Sequence, residues 1–164
     1  MSAVGAVAVA GTAVASGVLG GALFAFSALV MPALSRLPAH EGIRAMQSLN
    51  AVAPRSLLMV PLAGSAIGSA VVGLQAVAAG DAEGRGLRAA GALLGLGAFA
   101  VTAAASVPLN RALAVVDTGE PEASAAWAAY ARTWVRWNHL RAAAATLSAV
   151  ALASSLEGVA SLLP

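Results

Sequence analysis

The sequence contains no cysteine and no lysine. Without cysteine there is no disulfide, no thiolate metal site and no cysteine nucleophile. All nine basic residues are arginine; an excess of Arg and Ala with Lys missing points to a GC-rich coding bias rather than to function. Charge of either sign is scarce, at 10% of 164 residues, where about 25% is usual in a soluble domain. There are only two His and one Tyr. Hydrophobic residues make up 60% and the mean hydropathy is +0.85. A soluble fold needs polar residues to cover its surface. The composition therefore excludes an ordinary cytosolic enzyme, a nucleic-acid binder and a disordered segment. The net charge of +2 is also too small for a surface that tracks phosphates. The expected solvent is lipid, in a bacterial plasma membrane.

What is present is a set of charge-free runs, at residues 1–35, 56–80, 89–110 and 142–156. About 20 apolar residues cross a hydrocarbon core of about 30 Å, and a spanning backbone must satisfy its own hydrogen bonds, as a helix does. The first three runs are long enough. The fourth has 15 residues, about 22 Å of helix, and spans only by taking in the polar cluster Trp137–Arg141. The spans are placed at about 9–31, 56–79, 89–109 and 137–156, within a single domain over 1–164. Ala8-Val9-Ala10 imitates a signal cleavage site, but no basic residue precedes it, so the segment is read as retained. The predicted fold is all-α, an integral membrane four-helix bundle with two cytoplasmic amphipathic loop helices.

The first connection and the third, counted over 111–141, hold seven Arg and the second, with Arg85, Arg88, Asp81 and Glu83, holds two. By the positive-inside rule, loops 32–55 and 111–136 are cytoplasmic and both termini outside. Pro38 opens one loop helix, through Asn50. Pro121 sits in the first turn of the other, which carries Trp127, Tyr130, Trp134, Asn138 and Arg141 on one face and runs on into the fourth span. Pro32 and Pro108 are expected to end spans one and three, and the echo between Met31-Pro32 and Val107-Pro108 hints at a duplicated hairpin. Pro61 is expected to kink span two. Gly17/Gly21, Gly64/Gly68, Ser65/Ser69 and Gly91/Gly95 are spaced for close helix packing.

Arg141 has no acid within any span to pair with. Either it snorkels to the headgroups, or it is buried and binds carbonyls, amides or an anionic ligand, with Asn138 and Asn110 as companions. His139 is either an interfacial side chain or a general base near neutral pH. Trp127, Tyr130, Trp134 and Trp137 form either an aromatic belt or a slab that stacks a flat ligand, to which Phe24 and Phe26 can contribute. A mononuclear iron site would need His40, Glu41 and His139 to converge; their spacing does not require it, and no metal is expected.

Gly20–Ser27 leading to Met31-Pro32, Ala45–Asn50 and, more specifically, Val107-Pro108-Leu109-Asn110 and Trp134–Arg141 form a set of segments. Together they resemble the anthrone oxygenase-like family of small four-span membrane proteins. The resemblance covers about residues 17–145. It implies oxidation of an aromatic anthrone to its quinone by O2, with no metal, flavin or other cofactor. It further implies that Arg141, Asn138 and Asn110 serve the substrate oxyanion and His139 the proton, with Trp134, Trp137, Trp127, Tyr130 and Phe24 around the substrate. The chain departs from the family pattern at Ser106, where Asn is frequent, and at Ala142, where Thr is frequent; the His139 position varies.

Two functions are carried forward. One is a cofactor-independent membrane oxygenase for a hydrophobic, enolisable aromatic. The other is a non-enzymatic membrane protein: a scaffold, lipid-contacting module or accessory subunit. A transporter lacks intramembrane acids or a broken central helix to support it. The expected partners are membrane lipids, with an aromatic small molecule and O2 for the enzyme, and no nucleic acid; a homo-oligomer stays open.

Overall fold

The computed structural model describes residues 2–78 and 83–160; Asp81 of the second connection lies outside the described residues. Every described secondary-structure element is helical. Helix α1 (Ala3–Ala25) is capped by the Ser2 hydroxyl, which accepts from the Gly5 N–H. It continues through a π-turn, Phe26–Val30, into α2 (Met31–Leu34), so that Ala3–Leu34 is one rod. Helix α3 (Ala39–Val52) ends in a tight 3-10 turn, Ala53–Arg55. Helix α4 covers Met59–Ala78. Helix α5 (Arg85–Val101) passes through a second π-turn, Thr102–Ser106, into α6 (Val107–Ala114), again one rod. Helix α7 runs from Ala123 to Ala160.

Three helices, Ala3–Leu34, Met59–Ala78 and Arg85–Ala114, are long and apolar enough to cross a membrane, the mark of a membrane protein. Helix α7 is not among them; its first half carries Arg132, Arg136, Asn138, His139 and Arg141. The helix expected after Pro121 does run on without a break, as α7 from Ala123, so it is not a second separate loop helix, and Pro121 lies in the turn before it rather than in its first turn. Helix α3 is separate, with Pro38 at its cap.

Pro32 and Pro108 do not end their helices. Proline lacks an N–H and crowds the carbonyl four residues earlier. In both rods the chain widens one turn ahead: the Met31 N–H reaches back to the Phe26 carbonyl and the Val107 N–H to the Thr102 carbonyl, five residues each, and the helix continues. The Met31-Pro32/Val107-Pro108 echo is thus a repeated local structure. Pro61 does not fall deep enough to kink α4. It is the third residue of that helix, where a missing N–H costs little.

Close contacts fix the packing. Ala15 and Gly64, Thr12 and Gly68 set α1 antiparallel to α4; Gly73 and Ala92, Ser69 and Gly95 do so for α4 and α5. Gly91 lies on Leu152 and Ser148, and Gly20 on Thr146, so α7 runs antiparallel to both α5 and α1. A methyl at Gly68, Gly91 or Gly95 would collide with its neighbour, whereas Gly21 faces open space. The expected Gly91/Gly95 contact is real and Gly17/Gly21 is not a tight one. The Ser16 and Ser65 hydroxyls bond at 2.8 Å, and Ser148 donates to the Gly91 carbonyl at 2.7 Å. In lipid such bonds and close backbones, not a hydrophobic drive, hold helices together.

Helix α7 buries Ala123, Trp127, Tyr130, Trp134, Asn138, Arg141, Ala145, Ser148, Leu152 and Ser155, at steps of three and four residues along its length. Its first half packs with Met31, Ile43, Met46 and Leu113 into a core under α3.

Candidate functional site

The stripe on α7 turns polar at Asn138 and Arg141, where the two π-turns flank it. Asn138 is fully buried. Its amide donates to the Leu23 carbonyl and to the Ser27 hydroxyl, each at 2.6 Å, so both amide hydrogens are taken by the first rod. Leu23 lies just ahead of the π-turn and Ser27 within it. The Asn138 carbonyl oxygen accepts from Nη2 of Arg141 at 2.6 Å. On the other side, Nη1 of Arg141 meets the Thr102 hydroxyl of the second π-turn at 3.5 Å.

Arg141 is only 8% exposed, which decides against snorkelling within the protein's own packing. Among the described residues no carboxylate pairs with it. Its guanidinium lies 5.8 Å from the Trp134 ring centre, a cation–π distance. The Arg141 Nε and the Trp134 Nε1 are buried without an acceptor. Buried donors are rarely left so, and these two belong to contacting side chains.

Both residues line a cavity of about 100 Å³ walled by Leu23, Phe26, Met46, Leu49 and Leu58, with Asn50 and Asn110 as its other polar groups. Phe26 stands 6.0 Å from Trp134, ring to ring. The Tyr130 hydroxyl donates to Oδ1 of Asn110 at 3.0 Å and receives a longer contact, 3.4 Å, from the Asn50 amide. Burial pushes the Tyr130 phenol up to about 12, so it stays a neutral donor. Trp127 stacks on Tyr130 at 5.8 Å.

Helix α3 closes the cavity. Its Gln47 amide donates to the Leu113 and Val116 carbonyls at 3.0 and 3.1 Å, satisfying the open C-terminal end of α6. Gly42 lets α3 lie against the Trp127 indole, which a methyl would meet at 2.9 Å.

The structure thus brings together Arg141, Asn138, Asn110, Trp134, Tyr130 and, behind Tyr130, Trp127. It does not bring His139, Phe24 or Trp137 to the cavity. His139 and Phe24 line an outward groove between α1 and α7 with Gly17, Gly21 and Thr146, and Phe24 is 63% and Trp137 39% exposed. His40 and Glu41 are half exposed on α3, and among the described residues no three His, Cys, Asp or Glu side chains gather.

Sequence reasoning missed Ser27, Thr102, Gln47 and Asn50 as participants. The available signal was a hydroxyl inside an apolar run five or six residues ahead of a proline, and an amide pair one turn apart on an amphipathic loop helix.

A family model described as anthrone oxygenase matches residues 55–151, a stretch that includes Asn110, Tyr130, Trp134, Asn138 and Arg141. No curated protein and no solved structure matches the chain.

Proposed function

The chain belongs to the anthrone oxygenase family, and from that premise we propose that it is a membrane oxygenase that oxidises a hydrophobic, enolisable aromatic of the anthrone type with O2. The observation that carries the reading is the pair of unpartnered buried donors, Arg141 Nε–H and Trp134 Nε1–H, beside an apolar cavity.

An anthrone loses a methylene proton to give an aromatic oxyanion. A fixed cation and an indole N–H in a dry site stabilise that charge far more than water-exposed groups do. Arg141 holds the oxyanion, Trp134 supplies a second donor, and Asn138 fixes the guanidinium. His139 lies outside the cavity, so in this reading the acidity comes from the cation and the proton leaves to water at the cavity mouth. The ring carbon of the anion then bonds to O2, giving a peroxide. Loss of the remaining proton at that carbon and cleavage of the O–O bond leave the quinone carbonyl and one water. Substrate, O2, quinone and water balance without an added reductant.

The cavity is smaller than the roughly 300 Å³ of ordinary ligand pockets. A three-ring substrate therefore requires α3 to move outward; it supplies Met46, Leu49 and Asn50 of the cavity wall. We further propose that the apolar second half of α7 is a fourth crossing, completing a four-helix membrane bundle with the α3 end cytoplasmic, as the arginine distribution favours.

The test is O2 uptake and quinone formation by the purified protein with an anthrone. Arg141→Lys removes the planar fork, and loss of one oxyanion donor costs roughly a hundred- to thousand-fold in rate. A Lys variant as active as the original would overturn the reading.

A further inference from the structure

A second feature lies on the outer side of the same helices and belongs to neither the cavity nor its chemistry. Helix α2 rests against the first half of α7 and leaves a groove of about 430 Å³. Pro32, Ala131 and Val135 form its apolar floor above the buried Met31; Ser35, Arg132 and Arg136 form its polar rim. The two arginines are one turn apart, exposed, and paired with no carboxylate among the described residues.

We propose that this groove seats an anionic phospholipid. Its phosphate would lie between the Arg132 and Arg136 guanidiniums, with the Ser35 hydroxyl as a further donor, and one acyl chain would run over Pro32 and Val135. Three observations carry this. The rim has two cations and no protein anion to neutralise them, and guanidinium matches phosphate with paired donors. The floor beside exposed Pro32 is apolar, with Ala131 and Val135, so it suits an acyl chain and gives a soluble anion nothing to contact. The groove sits where that rod passes from apolar Met31 to the Ser35-Arg36 end, the depth at which a headgroup lies.

The seat shares a wall with the buried polar pair. Ser27 lines the groove and is also the hydroxyl that accepts from the Asn138 amide. The end of the groove away from the headgroup therefore lies one side chain from Asn138. The proposal does not depend on the chemistry assigned to the cavity.

The experiment uses the full-length protein, delipidated in detergent and titrated with phosphatidylglycerol or phosphatidylcholine, with bound lipid counted by native mass spectrometry. Phosphatidylglycerol is expected to bind about tenfold tighter or more, the attraction of two arginines for one anionic headgroup. Arg132→Gln with Arg136→Gln should bring it to the phosphatidylcholine level. Arg36→Gln with Arg111→Gln, at the same end but outside the groove, should leave it unchanged. Ser35→Phe fills the headgroup end while keeping both arginines, and should weaken phosphatidylglycerol binding. Inorganic phosphate in excess should not displace the lipid. Equal binding of the two lipids, full retention by the Arg132/Arg136 or Ser35 variants, an equal loss in the Arg36/Arg111 control, or displacement by phosphate would each overturn the proposal.

Discussion

Asn138 accepts the Arg141 guanidinium at 2.6 Å from one turn earlier on the same helix, while both of its amide hydrogens are held by the first rod. The asparagine therefore has no donor left for a ligand. It fixes the cation that has one.

Removing it should be felt first in stability. Asn138→Ala leaves a guanidinium hydrogen, the Leu23 carbonyl and the Ser27 hydroxyl without this partner, and a buried unsatisfied group costs about 1–3 kcal/mol. A clear drop in thermal unfolding midpoint is expected in detergent, together with loss of turnover. A variant as stable as the original would show that the amide contacts carry no net weight.

Two glycines make a paired test of the packing. A methyl at Gly95 runs into the Ser69 hydroxyl and stands 3.1 Å from that of Ser148, whereas one at Gly21 meets nothing within 4 Å. Gly95→Ala should destabilise by about 1–3 kcal/mol through overpacking. Gly21→Ala should be neutral or slightly stabilising, since alanine favours the helix. Equal effects in denaturant titrations would contradict the α4–α5 contact.

The single tyrosine is its own reporter, because phenolate absorbance can come only from Tyr130. Burial raises its pKa to about 12, against about 10 in an unfolded chain. The folded state therefore binds the proton more tightly, and stability falls as pH rises from about 10 toward 12. An alkaline titration should show no phenolate until well above pH 10. A midpoint near 10 in the folded protein would mean that α3 does not cover the ring.

Sidedness can be read with single cysteines in this cysteine-free chain. Ser48, Gly86 and Ser124 are exposed, whereas Ala123 is buried in the core under α3. In intact cells an impermeant thiol reagent should label Gly86→Cys and spare Ser48→Cys and Ser124→Cys. The reverse pattern would invert the orientation.

The helices were legible because lipid as solvent leaves only charge-free runs to read, and such runs are helical. The buried face Trp127–Arg141 was legible for a second reason: a step of three or four residues shows whatever the solvent. The proline positions misled because the sequence shows a missing N–H but not the carbonyls that rearrange around it. Pro32 and Pro108 widen a turn and let the rod go on. His139 misled differently. It neighbours Asn138 in sequence, but adjacent residues on a helix point about 100° apart, so burying one turns the other outward. Ser27 and Thr102 went unread because a lone hydroxyl in an apolar run gives no sign of its partner on another helix.

Each π-turn has a consequence for how the protein can change by insertion and deletion. A π-turn amounts to one residue more than an α-turn needs. Deleting one residue within Thr102–Ser106 would let the turn relax to α and leave everything after it in nearly the same azimuth, because the widened turn already absorbs that residue. Asn110 would stay at the cavity and Gln47 on the Leu113 and Val116 carbonyls, and the cost would fall on Pro108, whose ring then crowds the carbonyl four residues earlier. The first rod carries the same spare residue ahead of Met31 and Pro32. Both rods thus absorb a one-codon deletion at these two places in register, whereas one in the plain α-helix on either side would turn all that follows by about 100°.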